Sequence, residues 1–154
     1  MPPTRWTMFR QLLVGGVVSL GNIAVHAIVM TLVVNVVRRV GSWERRNASL
    51  WLASVMIATV GVLLMAHVAE VIVWSVTYLI LDVAPSEADV LYFAFVNYTT
   101  LGYGDIVPVE RWRLIGPITA MNGILLFGWS TAVIFEVLDV ATQARRNAAH
   151  GPRD

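Results

Sequence analysis

Three long apolar stretches, residues 11–37, 50–81 and 114–140, alternate with short polar segments that carry most of the arginines. About 20 apolar residues in helical conformation cross the hydrocarbon core of a bilayer, so each stretch is long enough to span it. The second is longer than a span requires, which predicts a tilted helix or one that projects past the bilayer. The first is too long for the core of a signal peptide and lacks a small-x-small cleavage site, so it reads as a retained helix. The alternative is a first helix that lies in the interface.

A different pattern separates the second and third stretches. Pro85-Ser86-Glu87-Ala88-Asp89 has the marks of a helix start, with Ser86 as N-cap, Asp89 three residues on, and acids in the first turn. VLYFAFVNY, residues 90–98, then supplies an apolar and aromatic helix too short to span, predicted to be a re-entrant half-helix. TTLGYGD, residues 99–105, follows, and Gly102 and Gly104 end the helical pattern. Val107-Pro108 closes the loop, and Arg111-Trp112-Arg113 marks the next interface.

Composition fixes the class. The 154-residue chain is 57% hydrophobic and 14% charged, with a mean hydropathy of +0.69, whereas soluble domains carry about 25% charged residues. An integral all-α membrane protein is expected: three transmembrane helices, a re-entrant half-helix and a loop. The expected parts are an N-terminal helix with a basic loop (1–47), a central domain (48–141) and a short tail (142–154). The absence of cysteine removes disulfides and thiolate metal sites. Orientation is read from the arginines. Arg38, Arg39, Arg45, Arg46, Arg145, Arg146 and Arg153 outnumber Arg5, Arg10, Arg111 and Arg113 on the opposite side. The first loop and the C-terminus are therefore expected in the cytoplasm, and the N-terminus outside the plasma (inner) membrane. Nothing in the composition points to nucleic acid.

Non-helical backbone at membrane depth is tolerated only where protein buries it or where it lines a watery path. The residue types in 99–105 favour the path. Glycine adopts left-handed angles that other residues resist, so Gly102 and Gly104 allow successive carbonyls to line up. Leu101 and Tyr103 would point away and wedge the strand, and the Thr100 hydroxyl would add one more oxygen. Stacked oxygens replace the hydration shell of a cation. The preceding half-helix aims its partly negative C-terminal end toward the membrane centre, which also favours a cation.

The segment resembles the pore region of tetrameric potassium channels, whose hallmark is a threonine-rich strand ending in GYGD. The resemblance runs over residues 88–138 and includes GILLFGWSTA, 123–132, which looks like the inner helix of bacterial two-helix channels. It implies an ion-coordinating filter over Thr99, Thr100, Leu101, Gly102, Tyr103, Gly104 and Asp105, with K+ coordination by Thr100, Leu101, Gly102 and Tyr103, support of the base by Thr99, and an outer mouth capped by Asp105. It places Gly123 at the gating hinge, with Gly128 five residues later. It implies K+ ions in the filter, no organic cofactor and no enzymatic activity. One chain supplies one loop and the family's ring holds four, so a homotetramer in a lipid bilayer is implied. The chain departs from the family in three places. Leu101 replaces the commoner valine, Tyr92 and Phe93 stand where many relatives have tryptophans, and Val96 stands where some have a glutamate that couples to the filter aspartate.

Polar residues inside the apolar stretches form a second pattern, since ionisable groups there are costly and usually functional. His67 and Glu70 are three apart and share a helical face with Trp74 and Tyr78. Gly15, Ser19, Asn22 and His26 make a small and polar stripe in the first helix. At 1.5 Å per residue, Asn22 and Glu70 both lie about 16 Å from the ends of their stretches, and His26 and His67 about 21–22 Å. Antiparallel packing would pair Asn22 with Glu70 and His26 with His67. Three roles stay open: a packing cluster, a brace by Glu70 behind the filter, or a metal site from His26, His67 and Glu70. Glu136, near the end of the third helix, is either one member of a pore ring of carboxylates that gathers Mg²⁺ or polyamines, or a helix-end acid near Arg145 or Arg146.

The reading that results is a potassium-selective channel conducting passively. Its alternatives are a weakly selective cation channel, a non-conducting membrane scaffold or sensor, and a metal-dependent intramembrane enzyme with no visible nucleophile. No arginine ladder marks a voltage sensor, and the gating stimulus is not written in the chain. A regulatory subunit is one route for it.

Overall fold

The computed structural model describes residues 5–40, 48–86 and 88–149. They form α1 (Arg5–Val40), α2 (Ala48–Leu81), α3 (Val90–Tyr98), a single 3₁₀ turn (Glu110–Trp112) and α4 (Ile115–Ala149). No strand occurs among the described residues. Among them, three helical segments are long and apolar enough to cross a membrane: Trp6–Arg39, Ser49–Leu81 and Glu110–Gln143. The fold is thus all-α with three spanning helices and one short helix, as the apolar pattern predicts. Each spanning helix extends past its apolar stretch, and α4 continues beyond residue 141 into the segment read as a tail. Arg45, Arg46, Arg153 and Glu87 lie outside the described residues.

The helix ends have local causes. α2 stops at Leu81 because Asp82 takes a left-handed φ of 48°. The Val83 N–H then bonds the Tyr78 carbonyl at 3.0 Å and the Asp82 N–H reaches Leu79 at 3.3 Å. This double closure satisfies carbonyls that the helix leaves open. α3 starts later than the sequence suggests. Its N-cap is Asp89, whose carboxylate accepts from the Tyr92 N–H at 3.0 Å, and not Ser86. Pro85 and Ala88 instead close a turn of their own, with the Ala88 N–H on the Pro85 carbonyl at 3.0 Å. At the start of α4, the buried Gln11 side chain of α1 accepts from the Leu114 N–H at 2.7 Å, occupying one of the donors that a helix start leaves unpaired.

Contacts divide the described residues into two units. The first lies within Met1–Val25 and His67–Phe127, the second within His26–Ala66 and Gly128–Asp154. In the first unit the core joins Val71, Trp74 and Tyr78 of α2 to Phe93, Ala94 and Tyr98 of α3 and Ile115 and Ile118 of α4. Tyr78 and Phe93 pack with their rings tilted by 48° and 5.3 Å between centroids, within the range that favours aromatic pairs. α1 comes close here because Gly15 faces Ile118, and a Cβ at Gly15 would stand 2.8 Å from its side chain. In the second unit the core is Met30 and Val37 of α1, Leu63 of α2, and Val133 and Val137 of α4.

Candidate functional site

The loop after α3 alternates in handedness. Thr100 has φ +62°, Gly102 +59° and Gly104 +78°, while Leu101 and Tyr103 between them stay outside the positive region. Such alternation turns successive carbonyls to one side, the arrangement an oxygen stack needs. Glycine reaches these angles without cost. Thr100 does not, and a β-branched residue held there stores about 1–3 kcal/mol of backbone strain, a feature that gathers at functional sites. Sequence reasoning found the two glycines and missed Thr100. All seven residues from Thr99 to Asp105 are exposed in the single chain.

The half-helix holds the loop at both ends. At the base, the Leu101 N–H bonds the Val96 carbonyl at 3.0 Å and the Gly102 N–H reaches it at 3.4 Å. The Thr99 hydroxyl donates to the Phe95 carbonyl at 2.7 Å. These bonds draw the N–H groups back toward α3. At the outer end, the Tyr92 hydroxyl donates to the Asp105 carboxylate at 2.8 Å. That carboxylate raises the pKa of the Tyr92 phenol above its ordinary value, chiefly through the hydrogen bond. Val96 is buried and offers only its carbonyl to the loop.

Tyr98, the last residue of α3, is held from two sides. Its hydroxyl donates to Glu70 of α2, and His67 Nδ1 lies 2.9 Å from that hydroxyl and 3.1 Å from the same Glu70 oxygen. The Phe127 ring of α4 lies 5.5 Å from Tyr98 and 4.4 Å from His67 between centroids. On the other side, a Cβ at Gly123 would overlap the Tyr98 carbonyl. α4 runs unbroken through Gly123, so the space that glycine leaves is filled by α3 backbone.

Asn22 meets Glu70 as the depth comparison suggests, donating to its backbone carbonyl at 3.5 Å. Its stronger partner was not foreseen. The Asn122 side-chain oxygen accepts from Asn22 at 3.2 Å and from the Trp74 indole at 3.0 Å. The Asn122 amide nitrogen reaches the Ser19 carbonyl at 3.5 Å. One buried amide thereby ties α1, α2 and α4. Below α3, the Tyr78 hydroxyl donates to Thr119 at 2.8 Å and accepts from Asn97 at 3.3 Å. The spacing of Thr119, Asn122 and Ser130 along one stretch was the available signal.

In the second unit, buried His26 places Nε2 3.2 Å from the Ser130 hydroxyl and its ring 5.7 Å from Trp129. Glu136 pairs with Arg38 of α1 at 2.8 Å. The reason is geometric, because Arg38 closes the last turn of α1 beside α4 within this unit. Gly128 faces open space.

Residues 66–139, a little under half of the chain, match the protein-family model described as "Ion channel". The match supports an ion-channel family and passive ion conduction by an integral membrane protein. No curated protein and no solved structure matches the chain.

Proposed function

We propose that the chain is one subunit of a potassium-selective channel, with four copies surrounding an axis lined by Thr100, Leu101, Gly102 and Tyr103. The observation that carries this reading is the alternation of positive φ at Thr100, Gly102 and Gly104 directly after a nine-residue half-helix. In a ring of four, each carbonyl level becomes a square of oxygens that substitutes for a cation's water shell. The Thr100 hydroxyl adds a further level below them. Nothing in the cycle makes or breaks a covalent bond, and the ion moves down its own gradient.

The exposure of the loop supports assembly. Residues 99–105 are irregular backbone, and such backbone does not face lipid. Copies of the chain around a water-filled axis remove that conflict. The exposed apolar side chains of α4, among them Met121, Ile124 and Leu125, also gain cover from neighbours or lipid. In this reading Gly123 and Gly128 are where the inner helix bends or shifts on opening, the C-terminus is cytoplasmic, and the outer mouth carries Asp105.

Selectivity then rests on how firmly the oxygen ladder is held. The Val96 carbonyl at its base and the Tyr92–Asp105 bond at its outer end are the fixings within one chain. Purified protein in planar bilayers, with potassium on one side and sodium on the other, tests the function through its reversal potential.

A further inference from the structure

We infer that Glu70 is a positioning residue for the filter, acting through the hydroxyl of Tyr98. The inference rests on the channel reading above and adds an element the filter motif does not contain. Glu70 is 1% exposed and Tyr98 is also 1% exposed. A carboxylate at that depth is expensive unless its oxygens are bonded. Here one oxygen takes the Tyr98 hydroxyl and lies 3.1 Å from His67 Nδ1.

The location gives the bond its consequence. Tyr98 is the final residue of α3, and Thr100, two residues on, holds the strained φ of +62°. Strain of that kind persists only where the surroundings over-determine it. Several contacts hold the junction, among them the Thr100 N–H on the Asn97 carbonyl at 3.0 Å. Glu70 takes the Tyr98 side chain, Gly123 leaves room for the Tyr98 carbonyl, and the Val96 carbonyl takes the Leu101 N–H. Of these, the contact to the Tyr98 hydroxyl is the one made by side chains of the outer helix, with Glu70 accepting and His67 Nδ1 beside it at 2.9 Å. Val96 of the half-helix has no polar side chain, so a fixing from within α3 is not available at that position. The fixing comes from α2, one helix back, through a phenol long enough to reach it. Without it the end of α3 loses its acceptor on α2 and is held less firmly, Thr100 relaxes toward negative φ, and the lowest oxygen levels lose their register.

The test compares Tyr98→Phe, Glu70→Leu and Glu70→Gln with the wild type. Two quantities are read on the assembled protein: single-channel open probability in symmetric potassium, and the gain in thermal midpoint on exchanging sodium for potassium. A bound ion stabilises only a protein that has the site formed. A merely structural loss lowers the midpoint equally in both salts. A positioning loss shrinks the potassium-dependent gain. Tyr98→Phe and Glu70→Leu are expected to lower open probability about fivefold, the effect of one hydrogen bond, and to shrink the potassium gain. Glu70→Gln retains an oxygen that accepts from a phenol and is expected to stay near wild type in both readouts. Wild-type values for Tyr98→Phe would overturn the inference, as would Glu70→Gln behaving like Glu70→Leu. A wild type with neither potassium current nor potassium gain would remove the channel reading and this inference together. A wild type that shows both, with variants that match it, would remove only the inference.

Discussion

Trp74 of α2 donates its indole N–H to the side-chain oxygen of Asn122 in α4 at 3.0 Å, and that oxygen also accepts from Asn22 of α1. Three spanning helices thus share one buried acceptor. Asn122→Leu keeps a similar volume and strands both donors in an apolar setting. Loss of about 1–2 kcal/mol of stability is expected, the range for polar contacts between membrane helices. Asn122→Asp keeps the acceptor and is expected to lose less. Thermal unfolding of the solubilised protein separates the two variants, and equal midpoints would refute the shared-acceptor account.

The two glycines at 123 and 128 of α4 make opposite demands. A Cβ at Gly123 overlaps the Tyr98 carbonyl, whereas Gly128 has open space around it. Gly123→Ala forces backbone apart and is expected to cost about 1–3 kcal/mol. Gly128→Ala is expected to leave the single-chain fold unharmed or to stabilise it by about 0.5–1 kcal/mol, through helix propensity. Thermal midpoints measured side by side check this. A Gly123→Ala protein as stable as the wild type would show that α3 does not lean on α4 there.

The outer fixing is sensitive to alkali, with a sign that follows from the bond. The Tyr92 phenol must be protonated to donate to Asp105, and the carboxylate holds its pKa above the ordinary value. The contribution is whole below about pH 10, the unperturbed tyrosine value, and fades as pH rises through the higher folded pKa. Tyr92→Phe is therefore expected to speed the decay of sustained potassium current several-fold at neutral pH. At strongly alkaline pH the variant and the wild type are expected to converge. A Tyr92→Phe current that decays at the wild-type rate at neutral pH would contradict this.

The pairing of Glu136 with Arg38 changes what the end of the inner helix can do. The pair is 2.8 Å apart and both side chains are roughly half exposed, at 59% and 45%. Such a pair contributes only about 0–1 kcal/mol to stability. Its effect is electrostatic, because the guanidinium offsets the carboxylate that a pore ring would need. Block by internal Mg²⁺ is expected to change little in Glu136→Gln and to strengthen in Arg38→Gln, where the acid is uncovered. Rectification that disappears in Glu136→Gln would contradict this and favour the carboxylate ring.

The architecture was legible because two physical signals dominate it. Apolar length marks the spanning helices, and a nine-residue apolar run ahead of two glycines marks the half-helix, whose C-terminal end falls at Tyr98 as expected. Depth matching brought Asn22 to Glu70. Three features were hidden. Asn122 shares its apolar run with Thr119 and Ser130, but its partners Trp74 and Asn22 lie on other helices, beyond what spacing along one stretch reveals. The left-handed angle at Thr100 contradicts the preference of a β-branched residue, so local rules point the other way. The Arg38–Glu136 pair joins residues 98 positions apart, beyond any sequence rule for neighbours on a helix. The start of α3 was displaced because two acids and a serine all suit an N-cap, and the geometry selects Asp89.

The most direct measurement is the reversal potential of the reconstituted protein with potassium on one side of a planar bilayer and sodium on the other. A filter built on Thr100, Leu101, Gly102 and Tyr103 predicts reversal close to the potassium equilibrium potential. Clear current reversing near zero would contradict it, because the loop would then conduct without choosing between the two ions.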